Sequence, residues 1–323
     1  MPRDNLLQGM KTMPKTQNPV LEVNRLNKDF KKQPVLRNMS FSVHAGEIFG
    51  FLGPNGAGKT TTIRILLGLT LATSGDCRIF GQSIDDNGEI RRRIGVVFEQ
   101  PNIYERLSGR QNLQFYASLY DVGNAEVERL LADFDLLAAA NKAVRHYSKG
   151  MRQRLLLCRA LVHDPELLIM DEPTGGLDPT SQQSIRDAIV RMSEQGKTIF
   201  LSTHSLEEAD QICHRVAVLY QGQLAAIDKP QVLKQRYGQP AISVTLRPHN
   251  VPDVPSIRRW CVSNAIPMRL DEDGSAQMQL PIKGNHWGRL LDELTTMGTV
   301  TTVHSQEATL NQVYHRLTSS EQG

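Results

Sequence analysis

Cysteine is sparse: Cys77, Cys158, Cys213 and Cys261 are the only four in 323 residues, and no C-x-x-C or Cys/His spacing joins them. That excludes a thiolate metal site or disulfide framework legible from spacing, and fits a reducing compartment. Long apolar runs are lacking too. No stretch approaches the roughly 18 to 20 residues that a membrane span requires, so any membrane role is expected through docking to another protein. The first 18 residues have no apolar core of an export signal. They are expected to be a disordered tail, with Met10 or Met13 as alternative starts. An excess of charge is absent as well. The 37 basic and 34 acidic residues leave +3 with no long basic block, which argues against a nucleic-acid groove. The triplet Arg91-Arg92-Arg93 is expected to be a solvated helix end. The length suits about two domains.

Glycine, by contrast, is concentrated where it matters. Gly53-Pro54-Asn55-Gly56-Ala57-Gly58-Lys59-Thr60 follows the apolar run Glu47 to Leu52 and precedes a helical pattern from Thr60 through Thr61 to Leu69. Such a loop turns successive amides inward on phosphates and puts the positive end of the following helix against them. Lys59 is expected to reach the β- and γ-phosphates and Thr60 to ligate Mg²⁺. A nucleotide and Mg²⁺ are the ligands this implies.

Leu167 to Met170 is an apolar strand that ends in Asp171 and Glu172. With a phosphate loop upstream, Asp171 is expected to hold Mg²⁺ through water and Glu172 to polarise the attacking water. Around these motifs, strands are expected at Val20 to Val23, Met39 to Val43, Glu47 to Leu52, Ile94 to Phe98, Thr198 to Ser202, Val216 to Tyr220 and Gln223 to Ala226. Helices Ser181 to Gln195 and Leu206 to Cys213 alternate with the later strands, as in a parallel sheet with crossover connections. Between Leu107 and His163 only helical spacing occurs, at Gly109 to Tyr120, Asn124 to Leu137 and Ser148 to Val162. A helical insert should therefore interrupt the sheet.

Beyond Lys229-Pro230 and a short helix the pattern changes. Strand Ala241 to Leu246, helix Val254 to Ala265, a hairpin of Met268 to Leu270 with Ala276 to Leu280, helix Trp287 to Met297 and strand Val300 to Val303 read as βαββαβ. A last helix follows at Ala308 to Leu317. The expected organisation is a tail over 1–18, an α/β nucleotide-binding domain over 19–228 with its helical part at about 107–163, and an α+β ferredoxin-like module over 229–320.

Tyr147-Ser148-Lys149-Gly150-Met151-Arg152-Gln153-Arg154 carries the resemblance to a known family. Ser148, Gly150, Gln153 and Arg154 match the L-S-G-G-Q-x-Q-R signature of ATP-binding cassette (ABC) ATPases, while Lys149 and Met151 depart from it. The similarity covers roughly residues 20 to 228. It implies ATP as the nucleotide, and a mixed-sheet P-loop cassette in which Phe30 stacks on adenine, Gly176-Leu177-Asp178 touches the opposite subunit, and His204, 32 residues after Glu172, contacts the γ-phosphate. Where the family usually has a glutamine after the strand ending at Phe98, this chain has Glu99 and then Gln100; either fits the position.

The same resemblance implies two cassettes packed head to tail, most simply as a homodimer. Ser148 and the Gly150 amide of one would then cap the γ-phosphate of the other. Lys149 would either add charge near that phosphate or point to solvent. The signature variant, the run Phe98 to Leu107 and the ending Ala308 to Leu317 look like ATP-binding subunits of bacterial drug-resistance and sodium-extrusion exporters. In those the membrane permease is a separate polytopic polypeptide, which would hold this chain at the cytoplasmic face of the plasma membrane. The competing class is a cassette ATPase acting on ribosomes or nucleic acid. The last module is expected to be a second dimer contact, with a ligand-sensing role as the alternative.

Overall fold

The computed structural model describes residues 19–31, 33–83, 88–249, 254–271, 273–281 and 287–319. The expected tail lies outside them. The chain forms two compact units that meet in sequence between Ile227 and Asp228.

In the first unit, β1 (Leu21–Phe30) and β2 (Gln33–Val43) form a hairpin, and β3 (Ile48–Leu52) leads through the glycine loop into α1 (Lys59–Leu66). Then come β4 (Ser74–Ile79), β5 (Gln82–Ser83), α2 (Gly88–Arg91) and β6 (Ile94–Val97). The helical part is α3 (Gly109–Leu119), α4 (Asn124–Asp133) and α5 (Lys149–Leu161). The chain returns to the sheet with β7 (Leu167–Asp171), α6 (Pro179–Glu194), β8 (Thr198–Thr203), α7 (Leu206–Ile212), β9 (Arg215–Tyr220) and β10 (Gln223–Asp228).

Two sheets result. One is antiparallel with order β2-β1-β4-β5; the other has order β10-β9-β3-β8-β7-β6, and its pairs from β9 to β6 are parallel. Every residue of β3, β7 and β8 is buried. This is why those segments read as unbroken apolar runs rather than alternating ones, as strands covered on both faces do. Phe41 of the antiparallel sheet stacks within 5.6 Å of Phe49, 5.5 Å of Phe51 and 6.0 Å of Phe200, so scarce aromatics are gathered at the junction of the two sheets.

Some expected boundaries move. The first helix ends at Leu66 rather than Leu69, because Gly68 N–H bonds to Ile65 and Leu69 N–H to Arg64 in a closing turn. The second helix of the insert stops at Asp133, four residues before Leu137. The short β4 alternates only over Cys77 to Ile79 and β5 has two residues, too little for a reading by periodicity. Arg91 ends α2 and Arg92 follows it, both exposed as expected of a solvated helix end, but Arg93 departs from that reading. It lies beyond α2, its guanidinium 3.6 Å from the Phe80 ring centroid and paired with both Glu166 oxygens at 2.5 and 2.9 Å.

In the second unit α8 (Pro230–Tyr237) precedes β11 (Ala241–Pro248), α9 (Val254–Ser263), β12 (Met268–Leu270), β13 (Ala276–Pro281), α10 (Trp287–Thr295), β14 (Gly298–Gln306) and α11 (Leu310–Ser319). The sheet order is β12-β13-β11-β14, with antiparallel pairing throughout. Its own core includes Val244, Leu246, Ile257, Met278, Leu280 and Leu294. The last strand extends past the expected Val300 to Val303 at both ends, because Gly298 and Thr299 pair with Pro248 and Arg247 and His304 to Gln306 pair with Ser243 to Ala241 although none of these residues is apolar enough to signal a strand.

Candidate nucleotide site

The site begins with the loop after β3. Two of its glycines are required by space: a Cβ at Gly53 would lie 2.7 Å from the Leu219 carbonyl oxygen, and one at Gly58, where φ is +110°, would lie 2.5 Å from Leu36 Cδ2. The chain therefore passes tightly into α1, whose first amides have no acceptor inside the helix and whose dipole is positive at that end. Lys59 is buried and folds back over the loop, donating from Nζ to the Gly53 carbonyl at 2.7 Å and to that of Pro54 at 3.3 Å. Ala57 N–H bonds to Pro54, which closes the turn through Asn55 and Gly56. Thr61 follows on α1, partly exposed.

Parallel register brings the acidic residues to this loop. Leu52 pairs with Thr203 and Asp171 with Ser202, so the carboxyl ends of β3, β8 and β7 lie side by side. This is where open α/β sheets bind ligands. Asp171 is buried. Its Oδ2 accepts from Thr60 Oγ1 at 3.0 Å and its Oδ1 from Ser202 Oγ at 2.5 Å. A hydroxyl and a carboxylate are the hard oxygen donors that Mg²⁺ takes. Among the described residues no group of three or more His, Cys, Asp or Glu side chains is disposed to hold a metal. A hydroxyl beside a carboxylate, as in the Thr60–Asp171 pair, fits Mg²⁺.

Glu172 has φ of +50°, a left-handed conformation that costs a non-glycine residue about 1 to 3 kcal/mol. Its amide is held by the Ser202 carbonyl at 3.1 Å. Oε2 meets His204 Nδ1 at 2.7 Å, and Oε1 lies 3.2 Å from Lys59 Nζ. The aligned bonds of that lysine go to the loop carbonyls, so the distance makes an ion pair but leaves Oε1 buried without an aligned donor. His204 itself is 58% exposed, able to leave Glu172 for another partner.

Three residues that the sequence reading missed support this centre. Ser202 fixes Asp171, as above. Thr174 Oγ1 donates to Glu208 Oε1 at 2.8 Å, and Glu208 is 1% exposed. Burial raises the Glu208 carboxyl above its ordinary value, against lowering by bonds from Thr203 and Thr174. The spacing Ser205-x-x-Glu208 is that of a capping box, and Ser205 Oγ does accept from Glu208 N–H at 3.2 Å. The reciprocal bond is absent: Ser205 N–H goes to Thr203 Oγ1, freeing the Glu208 carboxylate to point inward.

The other expected residues fall in two groups. Glu99 and Gln100 are exposed just after β6 and line, with Thr60, Arg64, Asn102 and Asp171, a cleft of about 480 Å³. Phe30 ends β1, 46% exposed, with Lys28 Nζ 4.6 Å from its ring centroid. The second group lies at the starts of α5 and α6. Ser148 caps α5, Oγ accepting from Met151 N–H at 3.2 Å, and Gly150 is buried there. Asp178 caps α6, accepting from Ser181 N–H at 3.0 Å, and bonds from Ser181 hold its carboxyl below the usual range. Lys149 is exposed, and its Nζ donates to the Gly176 carbonyl at 2.9 Å.

A phosphate loop, an acidic strand end and a capped signature helix on one mixed-sheet unit define a cassette ATPase. The ABC transporter family model matches residues 36–175. A fluoroquinolones export ATP-binding protein of Mycobacterium tuberculosis is 46% identical over 203 residues, 62% of this chain and 67% of that protein. Nod factor export ATP-binding protein I of Cupriavidus pinatubonensis is 41% identical over 219 residues, 66% of this chain and 67% of its own. A solved ATP-binding subunit of an ABC transporter shares 33% identity with a TM-score of 0.62, covering 68% of this chain and 93% of that one. This chain belongs to the ATP-binding subunits of the ABC transporter family, whose members bind and hydrolyse ATP.

Proposed function

We propose that the chain binds ATP with Mg²⁺, closes head to tail with a second copy around two nucleotides, and by hydrolysis powers export through a separate membrane permease. The observation that carries the chemistry is the convergence of Lys59, Thr60, Asp171, Glu172 and His204 at three adjacent strand ends. Mg²⁺, when bound, neutralises phosphate charge. Thr60 and Asp171 hold it, the loop amides and Lys59 bind the phosphates, and Lys59 then leaves its own loop carbonyls and Glu172. Glu172, with one buried oxygen lacking an aligned donor, accepts a proton from the attacking water. His204, released from Oε2, donates toward the γ-phosphate.

Ser148 and Gly150 supply donors to the nucleotide of the partner cassette, adding stabilisation where charge shifts. Phe30 stacks on the base, and Glu99 or Gln100 lies beside the metal and the permease. The export direction rests on the two relatives named as export ATP-binding proteins. Among the described residues no helix is long and apolar enough to cross a membrane.

The test is Glu172→Gln. ATP turnover should fall by about a hundredfold or more, the usual share of a positioned base, while ATP-dependent dimers persist. Tagged and recovered from its native cell with ATP in mild detergent, the variant should bring a stoichiometric polytopic membrane protein. Normal turnover would overturn the role of Glu172. Ribosomal proteins in place of a membrane partner would overturn the export reading and leave the ATPase chemistry standing.

A further inference from the structure

The signature segment and the Gly175–Asp178 loop of the same chain are joined by contacts that the family signature does not foresee. Lys149, which stands where the signature has glycine, donates 2.9 Å to the Gly176 carbonyl. Gly176 has φ of +64°, and a Cβ there would lie 2.3 Å from Lys149 Nζ and 3.7 Å from Cε. The lysine therefore occupies the space that any side chain at 176 would need. Next to it, a Cβ at Gly150 would lie 2.5 Å from Ser181 Oγ, so α5 starts against the first turn of α6, which Asp178 caps. The loop also leads back to the reaction centre within a few residues: Gly175 N–H bonds to the Glu172 carbonyl at 3.0 Å and Leu177 N–H to that of Thr174 at 3.3 Å.

We propose that Lys149 is a positioning residue that ties the start of α5 to the Gly176 loop, so that the two segments meet a second cassette as one body. A charge-assisted bond to a carbonyl, with no side chain between, holds the loop that follows Glu172. Docking of the signature end on a partner is thereby felt at Glu172 of its own chain. The proposal rests on the two-cassette reading for its effect on turnover, but the tether itself does not.

Hydrogen exchange on the nucleotide-free full chain tests the tether where no phosphate is present. Lys149→Met should speed exchange at Gly175 to Leu177 by about fivefold, the loss of one solvent-exposed hydrogen bond, and Lys149→Arg should restore protection. In steady-state ATPase assays kcat of Lys149→Met should fall by a similar factor while KM for ATP stays within about twofold, with Arg again restoring it. Unchanged exchange in Lys149→Met would overturn the tether. So would a raised KM at constant kcat, which would place the ammonium on phosphate instead. Failure of Glu172→Gln to dimerise with ATP would sink the two-cassette reading separately, leaving the exchange result to judge the tether.

Discussion

Glu208 shows how much of the centre depends on a side chain that touches no expected ligand. Its carboxylate is buried, accepts from Thr174 two residues after Glu172, and is next to Thr203, one residue before His204. Desolvation raises its folded pKa above the ordinary 4.5, so between 4.5 and the raised value the folded chain holds a proton that the unfolded chain has lost. More protons on the folded side means that stability falls as pH rises through that window, and is fully present below it. Glu208→Gln keeps an acceptor for Thr174 and removes the ionisation. The melting temperature of Glu208→Gln should accordingly vary less with pH above 4.5 than that of the parent, as thermal unfolding across a pH series would read. An identical pH slope in both would show that the carboxyl does not titrate in this range.

Among elements, β2 has the largest task outside the site, since it closes the antiparallel sheet over the parallel one. Phe41 is its anchor, 7% exposed and in ring contact with Phe49, Phe51 and Phe200. Those rings lie on β3 and β8, the strands that end at the phosphate loop and at His204. Phe41→Ala leaves a cavity there, and large-to-small changes of this kind cost about 3 to 5 kcal/mol. The denaturant midpoint of the first unit should drop accordingly. A loss below about 1 kcal/mol would mean that the cluster collapses onto the gap. The helical insert combines burial with capping: Leu113, Val127, Leu130, Leu131 and Leu155 are buried in it, Ser108 and Gln111 form a full capping box on α3, and Ser148 caps α5. Such caps contribute about 1 kcal/mol each, beside about 1.5 to 3 kcal/mol for each buried Leu or Val.

At the scale of the whole molecule, two units with separate cores raise the question of what the second adds. We infer that it supplies a further contact between copies, raising the effective concentration of the cassettes for each other. Truncation after Asp228 retains β10 and the entire first unit. By analytical ultracentrifugation with ATP, the Glu172→Gln form of that truncation should dimerise more weakly than the full-length variant. Equal dimerisation would remove this role and favour a ligand-sensing one.

Much of this was legible in the chain itself because the signals are local. A glycine loop between an apolar strand and a helix, two acids at the end of an apolar strand, and helical spacing without strands from 107 to 163 each depend on a few consecutive residues. Those patterns, with the signature at Ser148, were enough for the fold class and the family. Tertiary structure alone decided the contacts between distant segments. Parallel register put Ser202 on Asp171; packing, not helix capping, directed Glu208 to Thr174; and Arg93 found Phe80 and Glu166 across the fold. The partner of Lys149 was not legible in the sequence because its acceptor is a backbone carbonyl 27 residues away. Every residue carries such a carbonyl, so composition cannot announce one; only the folded chain determines which carbonyl comes within reach of the ammonium.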